Sequence, residues 1–381
     1  MKKEEPITAD EALFPTCSEP KKKLPLFAKI FFILGASSLL LYIIFLISPA
    51  FSDFFNRNIS SVFRGITAHI SNIVPFSLAE LLLLISPVVL VFLVAIGIKK
   101  YSSTWHDVLI YCLCILSAIA LIFSIFSIGF AAGYRGRPLD EKLGLERRDV
   151  SAEELYATAD ILCTLIWSEM DNIVYDPEGR SVMPYDLSVM NEKLIESYDK
   201  ASTVYSFIPR LNSRVKPVML SEPMSYTHIT GVYTFFTGEA NINIAFPDYT
   251  LPYTAAHELS HQRGFAPEDE ANFMAFLVPC LSDDSYIRYS AYLNLYEYVS
   301  NALYSADQQL YLRSFARLPE AVKGELRAYA EFASKYEDST IGEISGAVNN
   351  AFLIVNGTEG TKSYGMVVDL AVAFFRPFFS E

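Results

Sequence analysis

"YTAAHELSHQRGFAPEDEANF", residues 253–273, is the stretch that decides how this chain is read. It sets His257 and His261 four residues apart around Glu258, then supplies Glu268, Asp269 and Glu270. On a helix, residues four apart share a face, so both imidazoles can direct a nitrogen to one ion. Glu258 stands beside them, where it can take the proton of an attacking water and return it to a leaving amine. A catalytic zinc needs three protein ligands and an open position, so the third ligand comes from further along. Gly264 admits a sharp turn, and Pro267 suits the start of a second helix. Glu268 then falls early in that helix, with Asn272 one turn on. In that arrangement Glu268 is the third ligand, and the Asn272 side-chain oxygen holds the outer N–H of a ligand imidazole. Glu270, about 200° round an ideal helix from Glu268, is the less favoured alternative. Asp269 reads as ordinary charge at a helix N-terminus. A solvated helix with incidental histidines is the bland reading. The chain has only five histidines, and two at this spacing around a glutamate count against it.

Outward from this stretch the composition divides in two. Hydrophobic residues make up 52% of the 381, and they concentrate near the N-terminus. Residues 1–134 carry a net charge of +2, so the remainder carries −15 of the total −13. An acidic globular part lacks the clustered Lys and Arg that phosphate contacts need, which argues against a nucleic-acid partner. The five cysteines include no C-x-x-C pair and suggest neither a disulfide framework nor a thiolate metal site.

Three uncharged runs, residues 30–48, 81–98 and 108–134, each reach the roughly 18–20 residues that cross a bilayer. Pro87 lies inside the second, which membrane helices tolerate. Lys2, Lys3, Lys21, Lys22, Lys23 and Lys29 precede the first run, and Lys99 and Lys100 follow the second. The loop of about thirty residues after the first run carries only Arg57 and Arg64. Positive charge on the inner side then predicts a cytoplasmic N-terminus and an extracytoplasmic C-terminal part in a bacterial cell membrane. Arg135, Arg137, Arg147 and Arg148 after the third run weaken that bias.

Residues 135–150 read as a charged linker and 151–381 as one soluble domain. Ser151 and Glu154 form a capping box at the start of an apolar-faced helix, and "SVMNEKLIESYDKAS" reads as another. "VKPVMLS" (215–221) and "GVYTFFTGEANINIAF" (231–246) read as strands broken at Gly238. Long helical patterns return after Thr254, and the closing "YGMVVDLAVAFFRPFF" reads as a packing helix. The expected fold class is α+β, mostly helical: three transmembrane helices, then a zincin-like domain with a small β-sheet.

"TAAHELSHQRGF" followed by "EDEANFMAFL", together with "YTFFTGEANIN" and the apolar runs, resembles the bacterial membrane proteins grouped as domain of unknown function 3810. The resemblance extends over almost the whole chain. The same residues also resemble the gluzincin branch of zinc metallopeptidases. Phage-type anti-repressor metallopeptidases of that branch carry an HELGH helix, then E-x-x-A-N and a Pro-terminated apolar helix. Glu268, Ala271, Asn272 and Pro279 occupy the matching positions. The resemblance implies His257, His261 and Glu268 as zinc ligands and Glu258 as general base. Six residues separate His261 from Glu268, fewer than in most gluzincins.

Further site candidates are weaker. "NINIAF" suggests an edge strand, Asn241–Ile244, to which an extended substrate could add through its backbone; the residues are Asn241, Ile242, Asn243 and Ile244. His228, Tyr233, Arg288 and Tyr289 are candidate donors to a transition-state oxyanion, and Glu239 reads as a turn residue. The expected function is therefore a membrane-anchored zinc metallopeptidase acting on a peptide or protein near the outer membrane surface. The alternative is a non-enzymatic, zinc-stabilised membrane sensor or assembly factor. A transporter fits poorly, because the spans contain almost no charge.

Overall fold

The computed structural model describes residues 22–379. Lys2, Lys3, Lys21 and Cys17, which entered the sequence reading, lie outside the described residues. Among the described residues, three helices are long and apolar enough to cross a membrane: Leu26–Ile47, Leu78–Tyr101 and Trp105–Gly129. The second and third begin three residues before the expected runs, where a polar residue caps each outside the apolar stretch; the first begins at Leu26 after Pro25, and the third ends at Gly129 rather than Tyr134. Ser77 accepts the N–H of Glu80, and Thr104 accepts that of Asp107. Pro87 sits inside the second helix without ending it. The first and third helices pack closely through small residues. A Cβ on Gly35 would stand 2.9 Å from that of Ala120.

The chain between the first two spans was expected as a loop, but it is helical. It comprises Pro49–Phe55, a π-turn at Asn56–Ser60, and Ser61–Ser71. These short helices are docked on the C-terminal domain. Lys216 donates to the carbonyls of Ser71 (2.7 Å) and Phe76 (3.0 Å), and Asn72 donates to Ser213 (3.1 Å). The segment and the domain therefore lie at one end of the three spans. The turn carrying Lys99 and Lys100 lies at the other.

Glu239 is not a turn residue. It is buried at the start of a strand, paired with Lys216 at 2.5 Å. It also accepts the N–H groups of Leu78 (3.0 Å) and Ala79 (2.9 Å). An anion held at the exposed N–H groups of a helix start is favourable. In return Glu80 accepts the N–H groups of Met219 and Leu220. Two carboxylates thus bolt the second span to the domain.

The domain is mostly helical around a three-stranded sheet. Residues 135–150, read as a linker, are stitched into it, since Leu139 of the helix Leu139–Leu143 is wholly buried in the core. The Ser151–Glu154 capping box forms as expected and opens the helix Ala152–Glu169. That helix packs along Ser285–Ala306. The expected terminal packing helix is Val367–Phe375, with Val367, Leu370, Ala371 and Val372 in the core. The strands are β1 (Val215–Pro217), β2 (Gly231–Thr234) and β3 (Glu239–Ile242), in the order β1-β3-β2. β3 pairs parallel with β1 and antiparallel with β2, with Ala240 opposite both Val215 and Tyr233. The expected half-exposed edge strand at Asn241–Ile244 is therefore corrected. β3 is the central strand and ends at Ile242. Asn241 and Asn243 are buried, and the Asn243 amide donates to the Ser225 hydroxyl at 3.1 Å. Alternating polar residues here mark buried side-chain hydrogen bonds rather than a wet face.

Burial also sets a pH dependence. Glu325 is 1% exposed and accepts the Ser181 N–H at 2.9 Å, with no cation beside it. Burial raises its pKa to about 7. A carboxyl whose folded-state pKa is raised contributes stability that is complete below its unfolded value and lost as pH rises through the folded one. The thermal midpoint should therefore fall between about pH 4.5 and 7, with Glu325 contributing on the order of 3 kcal/mol. Glu325→Gln keeps the acceptor and should flatten that slope, as read by unfolding scans across the window.

Candidate metal centre

The helix Thr250–Arg263 carries the paired histidines. It is buried at every position except His257, which faces a cleft. Gly264, at φ 97°, ends it in the left-handed region, and the N–H groups of Gly264 and Phe265 return to the carbonyls of His261 and Ser260. A Cβ at Gly264 would collide with the Arg64 guanidinium. The reversal sends the chain back along the first helix, so that Glu268, the first residue of Glu268–Leu277, reaches the two imidazoles.

Glu268 Oε2 lies 3.2 Å from His257 Nε2 and 3.4 Å from His261 Nε2. Zinc–ligand bonds near 2.1 Å place tetrahedral ligand atoms about 3.4 Å apart, so this spacing is that of ligands around one ion. Glu268 Oε2 is buried and has no hydrogen-bond partner, an expensive condition that a cation between the three groups relieves. His261 Nδ1 donates to the Phe265 carbonyl at 2.7 Å, which turns Nε2 toward Glu268. Electrostatics agree. Burial opposes ionisation of Glu268, yet the imidazoles overcome it and hold the carboxyl far below the usual carboxylate range. Burial likewise disfavours charge on His261, and the Glu268 carboxylate outweighs it, pushing the imidazole up to about 9. The three groups fit a divalent cation.

Glu270 is turned away. Its carboxylate accepts the Leu139 N–H at 2.8 Å, so Glu268 alone joins the histidines. Asp269 is buried and pairs with the half-buried Arg147 at 2.7 Å rather than facing solvent. Asn272 does not hold a ligand imidazole, because the Phe265 carbonyl fills that role. Its amide donates instead to the Tyr364 carbonyl at 3.3 Å, and it lines the cleft.

Glu258 reaches the same cleft with a buried, unpartnered Oε2. Burial raises its carboxyl to about 7, against the pull of both imidazoles and of the Tyr233 N–H. Gly231 of β2 gives it room, since a Cβ there would stand 2.5 Å from Glu258 Oε1. The cleft, about 790 Å³, is lined on this side by residues 227–233. β2 pairs only with β3, so the free strand edge near the triad is β2 and not Asn241–Ile244.

The candidate donors separate. Tyr233 lines the cleft with its hydroxyl buried and unpartnered, and His228 lines it while bonded through Nε2 to the Tyr336 carbonyl at 2.8 Å. Arg288 and Tyr289 are elsewhere. Arg288 is paired with Glu169 at 2.7 Å, and Tyr289 is buried against Tyr175. Tyr289 faces the core, and Arg288, half-buried, faces Glu169 rather than the cleft. Sequence reasoning missed Tyr134, Tyr298 and Tyr364, which line the cleft around Glu268. Burial and the Glu268 charge keep all three phenols protonated at neutral pH. Tyr364 also feels Glu258, so it stands near both carboxylates.

Arg64 was also missed. It is 1% exposed and donates to the carbonyls of Gly129 (2.7 Å), Asn56 (3.2 Å) and Arg263 (3.2 Å) and to the Asn56 side chain (2.8 Å). Burial without a carboxylate lowers its pKa to about 10. It joins the end of the third span to the end of the histidine helix, and the Phe130 ring meets the His261 ring edge-on at 6.0 Å. The triad is thus held at the membrane end of the domain.

Fold and site together define a membrane protein with two histidines and a glutamate converged in the cleft of a helical domain docked on its spans. The chain belongs to the family described as protein of unknown function (DUF3810), which matches residues 54–372. No curated protein and no solved structure matches it.

Proposed function

We propose that the protein is a membrane-anchored zinc metallopeptidase of the gluzincin kind, with a zincin-like catalytic domain on the extracytoplasmic side of the bacterial cell membrane. The observation that carries this reading is the pair of orphaned buried oxygens, Glu268 Oε2 among the imidazoles and Glu258 Oε2 beside them. A purely structural zinc site would have no use for the second. His257, His261 and Glu268 would hold the ion, which when bound supplies Lewis acidity toward a carbonyl and a water. Glu258, poised near neutrality, takes the proton of the attacking water and delivers it to the leaving amine. Tyr233 and Tyr364, phenols that line the cleft, are the candidate donors to the developing oxyanion, in place of Arg288 and Tyr289. The free edge of β2 aligns an extended substrate by backbone pairing. The orientation rests on Lys22, Lys23, Lys99 and Lys100, all at the end of the spans away from the domain. The test is incubation of the full chain, purified in detergent and supplied with zinc, with a mixed peptide library. New cleavage products that Glu258→Gln does not give support the reading. Zinc retained with no cleavage by either protein favours the sensor.

A further inference from the structure

The helix Thr340–Val355 is too short to cross a bilayer, at about 24 Å, but it is apolar. Ser339 caps it, and its only charged residue, Glu343, lies in the first turn. Ile341, Ile344, Val348 and Val355 are 59%, 61%, 66% and 74% exposed, with Ala351 completing a stripe at steps of three and four. Those exposures equal those of Ile33 (66%) and Val91 (69%) on the spans themselves. The opposite face carries Gly342, Ser345, Gly346 and Asn349, which roof the cleft that holds the triad. Only Leu353 of the whole helix is buried.

The stripe is continuous with the membrane surface. Phe352 packs edge-on against Phe126, in the last turn of the third span, at 6.1 Å, and against Tyr134 at 6.4 Å. Across the cleft, the β2–β3 turn puts Phe235 against the same Phe126 at 5.3 Å and leaves Phe236 45% exposed. Both rims of the cleft therefore meet the apolar end of one span. A short helix with one lipid-like face beside a span lies in the plane of the interface, with that face about 5–10 Å into the headgroup boundary.

We propose that the helix Thr340–Val355 lies in the membrane interface with its aliphatic stripe in lipid, so that the cleft opens along the bilayer surface and takes polypeptides tethered to the membrane. The lipid contact stands on the stripe and its continuity with the spans. The substrate class rests on the peptidase reading above.

The chain has two tryptophans, Trp105 and Trp167, which makes depth readable by fluorescence. Val348→Trp and, separately, Ile344→Trp are made with Trp105 and Trp167 replaced by Phe, and each full chain is placed in phosphatidylcholine nanodiscs. Acyl chains brominated near the headgroup should quench either tryptophan about twofold relative to unbrominated lipid, as they should Trp105 alone at the start of the third span. Emission from both positions unchanged by bromine overturns the lipid contact, whether solvent or a second copy of the chain covers the stripe. For the substrate class, one peptide is offered free and on a lipid anchor in the same nanodiscs. Tethering should raise its cleavage at least about tenfold through effective concentration. Equal rates overturn the tethered-substrate half, whereas no cleavage of either form counts against the peptidase reading and leaves the quenching result standing.

Discussion

Replacing Glu258 by Gln should lower peptide hydrolysis about a thousandfold, roughly 4 kcal/mol of barrier, while the protein keeps its zinc. The side chains are isosteric, so the fit against Gly231 is preserved. What is lost is the proton acceptor: the carboxylate's unpartnered Oε2 becomes an amide nitrogen or a far weaker base. Because Glu258 is not one of the three groups that would hold the ion, metal stoichiometry should match the unsubstituted chain. Paired rate and metal measurements check both halves. Undiminished hydrolysis would remove Glu258 from the chemistry, and zinc lost together with activity would make it a ligand rather than a base.

Arg64→Met should produce the largest loss of stability. The methionine fills much of the arginine stem but leaves the Gly129, Asn56 and Arg263 carbonyls without their donor in a buried place. Stranding buried acceptors of a charged donor costs about 3–5 kcal/mol in total. For a chain of this length that lowers the thermal midpoint by roughly 5 °C. The joint between the third span and the histidine helix should open first, seen as faster proteolysis around Gly264. A midpoint within about 2 °C of the unsubstituted chain would mean that Arg64 does not hold the domain to the spans.

The convergence of His257, His261 and Glu268 was legible in the sequence because it is local. Helix geometry places His257 over His261, and one turn at Gly264 brings Glu268 back, so nothing distant has to be known. The spans were legible for the same reason, since bilayer thickness converts directly into run length. One failure was local: Asn272 has the right residue type and register, but after the Gly264 reversal it is the Phe265 carbonyl that accepts from His261 Nδ1. The others needed contacts across the chain. Arg288 and Tyr289 follow the motif closely, but their helix turns them toward Glu169 and Tyr175. "NINIAF" alternates as an edge strand would, and β1 arriving from residues 215–217 made it central. Arg64 and Glu239 gain their roles only when the chain between the first two spans docks on the domain, which no local pattern in that segment announces.

The most direct test of the account is metal analysis of the full chain, purified in detergent, supplied with zinc and freed of unbound metal by gel filtration, beside His261→Ala. Three converged ligands predict one zinc per chain in the unsubstituted protein and in Glu258→Gln, and its loss from a His261→Ala chain that still elutes as folded protein. A folded unsubstituted chain that retains no divalent metal, or a His261→Ala chain that retains it undiminished, would contradict the account.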